Sequence, residues 1–386
     1  QFNVVESYEA PDDYTVILHL SQPSSVLLAK FAFPCWAIVN HRLVEEYGWT
    51  EDIVCGTGPY YVEEYTVGTG VVLKAYEGYW GEPAPTETLN FKVISDANTA
   101  YVSFLNGELD FMRDPSAVQI EGAESTEGVS VYTVENPCIY TLWMNTSIAP
   151  FDNLKVRQAF NHLINKEDVN LAQFKGRGNV VEQYWTESTP GYVSNDELNS
   201  IYEYDVEKGL SMLEEEGYTP ENLSLNILTS SLQTAYTAAA ENIQAQLMAL
   251  GFEVTVDTYD FPTFRTYAQS GEFQLMVYNG NATSYAPVSG IQTIFSDEAG
   301  WNCNRFDQSN PELQAQINDL VAQADVTVDI DARTELLKEL TQLLRDNAAG
   351  VPLTSGPRDY LVKENLTDFV VNADDGVAQW MHAYLR

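Results

Sequence analysis

Between Leu223 and Leu344 the apolar residues repeatedly change period, and this alternation limits the fold more than any other feature. Leu223–Leu228 alternates with period two, as a half-buried strand does. Ala235–Leu250 follows, with Ala239, Ile243, Leu247 and Leu250 on one helical face and Gly251 placed to end it. Phe252–Val256 and Phe273–Tyr278 are strand-like again. Ile317, Leu320, Val321 and Ala324, then Leu336, Leu337, Leu340, Leu343 and Leu344, mark two amphipathic helices. Strands separated by helices long enough to cross back over a sheet predict an α/β layer around a mainly parallel sheet.

The first third of the chain reads differently. Tyr14–Leu20 is a β-rich run with Val4 and Val5 as its antiparallel partner, and Ser24–Phe33 is apolar and helical. Tyr60–Tyr65 and Val71–Tyr76 flank Val67-Gly68-Thr69-Gly70, a hairpin signal. A short strand at Phe91–Ile94 precedes a helix over Asn98–Asn106 that Gly107 stops. The pattern shifts at Asn136-Pro137, between the strand-like runs Tyr132–Val134 and Ile139–Met144. It returns to strand-like sequence after Gly350. These shifts divide the chain into a lobe of residues 1–135 plus 355–386 and a lobe of residues 140–348, with crossings at 136–139 and 349–354.

At 386 residues, 45% of them hydrophobic, the chain has the length and composition for two or more folded lobes. Its 56 acidic residues against 19 basic ones give a net charge of −37. Such a surface repels phosphate backbones and anionic lipid headgroups, which argues against nucleic-acid binding. No stretch approaches the roughly 20 apolar residues of a membrane span. The four cysteines, at positions 35, 55, 138 and 303, form no CxxC pair and no zinc-like cluster. Cys35 and Cys55 are near enough in sequence to form a disulfide outside the cell, and buried free thiols are the competing reading for all four.

Nothing in the sequence marks an active site. The histidines, at positions 19, 41, 162 and 382, belong to no HExxH pattern, and neither a GxSxG nor a P-loop occurs. Gly56-Thr57-Gly58 is followed by Pro59, which makes it a turn entering a strand, not a dinucleotide fingerprint. With so many acids, carboxylate pairs arise by composition alone. Glu214–Glu216 reads as a solvated helix end. Asp325–Asp331 lacks the glycine and distal glutamate of an EF-hand. No catalytic residue, metal ligand or cofactor is assigned.

Three phrases in order carry a resemblance: Gly56-Thr57-Gly58-Pro59-Tyr60, then Gly78-Tyr79-Trp80-Gly81 leading into Leu89–Ile94 and Asn106-Gly107-Glu108-Leu109-Asp110, then Pro150-Phe151-Asp152-Asn153-Leu154-Lys155-Val156-Arg157-Gln158-Ala159-Phe160. Together they resemble the peptide- and nickel-binding branch of the extracellular solute-binding proteins, family 5, the ligand receptors of ABC importers. The resemblance implies a two-lobed, periplasmic-binding-protein-like α/β fold that captures a small polar solute or peptide by hinge closure. It further implies an ABC permease as partner and an extracellular or periplasmic location, with a lipid anchor on an N-terminus absent from this chain. Members of that family normally carry a sizeable portion before the region matching Glu9–Tyr14, so the first lobe is expected to be incomplete, with apolar surface or a sheet edge exposed.

Two segments are expected to face the ligand: Tyr140–Asn145, and the loop Tyr278–Pro287. In peptide-binding members the corresponding loop holds an aspartate that pairs with the peptide ammonium group. Here Thr283-Ser284-Tyr285-Ala286-Pro287 has no acid, and a desolvated ammonium without a counter-charge is costly. The candidate ligand-binding residues are therefore neutral and aromatic: Tyr140, Trp143, Asn145, Tyr278, Asn279, Asn281, Tyr285 and Trp301. The rival readings are an extracellular hydrolase using paired carboxylates, and a ligand sensor reusing the receptor fold.

Overall fold

A computed structural model describes residues 4–31, 37–48, 56–134, 138–187, 189, 191–194, 197–198, 202–280, 294–295, 301–372 and 378–386. The chain divides into two compact units, one of residues 1–29 with 137–356 and one of residues 30–136 with 357–386. The described chain opens with an antiparallel hairpin, β1 (Val5–Asp12) and β2 (Thr15–Leu20), in which Tyr8 pairs with Leu18 and Glu9 with Ile17. The division expected from sequence differs here. Residues 1–29 belong with the larger unit because Ser25 donates its backbone N–H to the Asp325 carbonyl at 2.7 Å and its hydroxyl to the Ala324 carbonyl at 3.1 Å. Val26 is buried beside them in the same apolar cluster. The hairpin itself is exposed on both faces, with Tyr8 at 78% and Val16 at 70% of full exposure.

The smaller unit contains the meander β3 (Tyr60–Thr66), β4 (Gly70–Ala75) and β5 (Thr88–Lys92), then β6 (Phe111–Arg113) and β7 (Val129–Val134). The β3–β4 turn needs Gly68, whose φ of 73° is left-handed. The helix expected over 98–106 spans Ala97–Leu105, capped by the Asp96 side chain on the Thr99 N–H. Helix Ala117–Glu124 starts from a reciprocal capping box between Ser116 and Gln119.

The larger unit is built on one sheet. Its strands are β8 (Ile139–Met144), β9 (Asn179–Val180), β10 (Ser224–Ser230), β11 (Glu253–Tyr259), β12 (Leu275–Gly280) and β13 (Gly350–Ser355), in the order β11-β10-β12-β8-β13-β9. The pairs β10–β11 and β10–β12 are parallel, while β8 runs antiparallel to both β12 and β13. The sheet is thus mixed, where sequence predicted a mainly parallel one. The chain runs into this sheet along β8 and out of it along β13 at the same edge, so these two neighbours run in opposite directions. The next strand, β14 (Arg358–Lys363), belongs to the smaller unit and pairs with β6 and β7.

Helices cover both faces of the mixed sheet. Alternation along β8 and β12 sends Leu142, Met144, Leu275 and Val277 to one side, against helices Leu154–Leu163 and Thr234–Ala249. Trp143 and Met276 go to the other, against helices Phe261–Ser270, Pro311–Val326 and Ile330–Asp346. Every β8 residue is buried, so both faces of this central strand lie in core. Each fully buried large apolar side chain contributes about 1.5–3 kcal/mol.

A buried ion triad ties the sheet to its helices. Lys166 donates to Glu182 at 2.7 Å, and Arg345 approaches the other Glu182 oxygen at 3.3 Å. Burial pushes the Lys166 ammonium down to about 8, against the opposing pull of Glu182. Lys166 also donates to the Val181 carbonyl at 3.2 Å, and the Val181 N–H to the Leu353 carbonyl at 3.2 Å. The triad therefore holds the segment after β9 against β13.

Candidate functional site

The carboxyl ends of β10, β11, β12 and β13 and the start of β8 share one edge of the large sheet. In open α/β sheets this is where loops diverge and backbone groups are left for a ligand. The residues delivered there are mostly aromatic. Starting from Phe174, ring centroids follow one another at 5.5 Å to Tyr140, 5.6 Å to Tyr236, 5.2 Å to Tyr278 and 5.3 Å to Trp301. Tyr278 and Trp301 are stacked within 5° of parallel. Phe261 stacks on Trp301 at 6.2 Å, and Phe264 lies 5.1 Å from Tyr278.

Local sequence explains the placement. Asp260 caps the Thr263 N–H, and Pro262 lies in the first turn, so helix Phe261–Ser270 begins directly after β11 with Phe261 at the edge. On the β9–β13 side the Phe174 ring is closely framed. A Cβ on Gly356 would stand 2.4–2.6 Å from its ring atoms, and one on Gly178 would stand 2.7 Å from Phe174, Asn170 and the Ser355 carbonyl. Only glycine admits the ring at both positions.

The polar groups of this row are partly committed. The Tyr140 hydroxyl donates to Gln233 Oε1 at 3.1 Å, and Gln173 donates to the Ala235 carbonyl at 2.9 Å while accepting from the Thr354 hydroxyl at 2.6 Å. Tyr278 and Trp301 are half-buried. Burial pushes the Tyr278 hydroxyl above its ordinary range, so it stays a neutral donor.

The sequence candidates separate into three groups. Tyr140, Tyr278, Asn279 and Trp301 lie at the carboxyl edge. Trp143 is one turn of the pleat deeper and fully buried, donating from Nε1 to the Tyr278 carbonyl at 3.1 Å and stacked 5.8 Å from Tyr184. Asn145 follows β8 at the opposite edge of the sheet. Its amide donates to the Gly271 and Phe273 carbonyls at 3.0 and 2.9 Å, and its oxygen accepts from the Ser147 N–H and hydroxyl at 3.1 and 2.6 Å. With its side chain engaged and its exposure at 0%, Asn145 locks a turn and does not join the others. Asn281 and Tyr285 lie outside the described residues, as do Cys35 and Cys55; Cys138 and Cys303 are buried cysteines. Burial raises the Cys303 thiol to about 12.

Tyr236, Phe174, Gln233, Phe261 and Arg265 were not singled out from sequence. Gln233 and Tyr236 lie within six residues of the end of β10, a positional signal that could have found them. Arg265 sits in no motif. Among the described residues no cluster of three or more His, Cys, Asp or Glu side chains is arranged to hold a metal ion, and no helix is long and apolar enough to cross a membrane.

Comparison with known proteins places this architecture. The dipeptide-binding protein of Escherichia coli is 25% identical over 382 residues, covering 96% of this chain and 70% of its own length. The dipeptide-binding protein of Pseudoalteromonas sp. SM9913, solved in complex with Met-Leu, superposes with a TM-score of 0.87 at 20% identity, covering 99% of this chain and 76% of that one. NikA from Brucella suis, solved with Fe(III)-EDTA, gives 0.85 at 21% identity, covering all of this chain and 80% of that one. The family model for bacterial extracellular solute-binding proteins, family 5, matches residues 1–302. The chain belongs to the bacterial extracellular solute-binding proteins of family 5.

Proposed function

We propose that this chain is the receptor that captures a small polar solute or peptide for an ABC importer, and that the aromatic carboxyl edge of the larger unit is its ligand-contacting surface. The observation that carries the assignment is the row of rings from Phe174 to Trp301, ending in the half-buried, stacked Tyr278–Trp301 pair. Such a surface suits flat or apolar ligand groups, and the neutral Tyr140–Gln233 pair beside it suits hydrogen bonding. Relatives bearing dipeptide and Fe(III)-EDTA in their names or complexes support a receptor role and leave the solute open. The partner is an ABC permease, the site of action is outside the cytoplasmic membrane, and a lipid anchor is the proposed means of retention there.

The test is a thermal-shift screen of peptides, sugars and metal chelates, followed by calorimetry with the best ligand and the Trp301→Ala variant. Loss of a well-made contact of about 1–3 kcal/mol raises Kd roughly tenfold or more. An unchanged Kd in a folded variant would remove this edge from the site.

A further inference from the structure

The same edge carries a cation with no ion-pair partner among the described residues. Arg265 is exposed on helix Phe261–Ser270, and its guanidinium carbon stands 5.9 Å from the centroid of the Trp301 indole. That indole is in turn stacked at 5.3 Å on Tyr278. Among the described residues Arg265 has no ion pair and no hydrogen bond, although the chain holds 56 acids against 19 bases. Two carboxylates just before this helix have other partners: Asp260 accepts from the Thr263 N–H at 3.0 Å, and Asp257 from the Asn226 amide at 2.8 Å.

A guanidinium held over a ring presents a planar fork of N–H donors matched to a carboxylate, and the cation–π contact restrains it before any ligand arrives. The net charge of −37 repels anions at long range, so anion recognition on this protein needs a fixed local cation. Arg265 is such a cation, and it adjoins a flat apolar surface. Taking this edge as the ligand surface, we propose that Arg265, Trp301 and Tyr278 form a subsite for a solute in which a carboxylate adjoins a flat ring. The guanidinium takes the carboxylate, and the aromatic pair takes the ring.

Matched probes on the full chain test this: indole-3-acetate against indole-3-acetamide, read by calorimetry and by tryptophan fluorescence. The acid should bind at least about tenfold tighter than the amide. Arg265→Gln should erase that preference and leave the amide Kd within about twofold, with an unchanged melting temperature because the side chain is exposed. Equal binding of acid and amide to the wild-type protein overturns the subsite, and so does a preference that survives Arg265→Gln. Failure of both indoles while a peptide, sugar or chelate binds also overturns it, and leaves the receptor reading standing. Failure of every compound in both panels removes both.

Discussion

Replacing Glu182 with glutamine strips the carboxylate shared by Lys166 and Arg345 and leaves two buried cations facing each other. Lys166 is 6% and Arg345 0% exposed. The two respond differently. Lys166 already titrates at about 8, and releasing its proton at pH 7 costs only about 1.4 kcal/mol per unit of separation. Without Glu182 its ammonium falls further and the side chain turns neutral. Arg345 has no such escape, because a guanidinium keeps its proton. Removing one partner of a buried pair destabilises by about 3–5 kcal/mol. Glutamine still accepts one hydrogen bond, and Arg345 keeps its contact 4.8 Å over the Tyr202 ring and its 3.4 Å bond to Asn161, so the lower end applies. A loss of about 3 kcal/mol lowers Tm by roughly 6–12 °C for a unit of this size. Urea and thermal denaturation at pH 7, followed by circular dichroism, measure it. Adding Lys166→Met to Glu182→Gln should change stability by less than about 1 kcal/mol, since the lysine is neutral there. A single Glu182→Gln variant within about 1 kcal/mol of wild type would refute the argument, by showing that the cations find water or other partners.

Lys166 sets a pH dependence of definite sign. Its pKa in the folded protein, about 8, lies below the ordinary 10.5, so between those values the unfolded chain binds a proton that the folded one has released. The burial penalty is full below pH 8 and is relieved as pH rises towards 10.5, by roughly 3 kcal/mol. Comparing wild type with Lys166→Met from pH 7 to 10.5 isolates this contribution, and a constant difference in stability refutes it. Gly356→Ala forces a methyl against the Phe174 ring at 2.4–2.6 Å. It should cost about 1–3 kcal/mol and perturb the near-ultraviolet signal of the aromatic row; wild-type melting and spectrum would show that the ring moves freely. Asn145→Ala leaves the Gly271 and Phe273 carbonyls without their side-chain donor. It should destabilise by about 2–3 kcal/mol while leaving ligand affinity unchanged, because Asn145 sits at the far edge of the sheet. A rise in Kd with full stability would return Asn145 to the site.

Much of the local architecture was legible in the residues. The period-two and period-3.6 runs from Leu223 onward became β10, helix Thr234–Ala249, β11 and β12 in that order, because side-chain periodicity and burial on one face are local properties. The helix caps at Asn153 and Asp205 are local in the same way: a side-chain oxygen reaches an N–H two or three residues ahead. The direction of β8 was not, since strand pairing across more than a hundred residues leaves no mark in either strand. Nor was the docking of residues 24–26 on helix Pro311–Val326, which joins positions about 300 apart. At the candidate site, the period-two argument placed Tyr140 and Tyr278 in strands. It could not say that Asn145, five residues beyond Tyr140, belongs to the opposite edge, or that Tyr236 meets Tyr278 and Arg265 meets Trp301. Sequence by itself determined which segments form strands and helices and which faces they bury, because those preferences act within a few residues. Only the tertiary structure decided which of the buried and half-buried aromatics meet at one sheet edge, because that depends on strand order and on packing between elements distant in the chain.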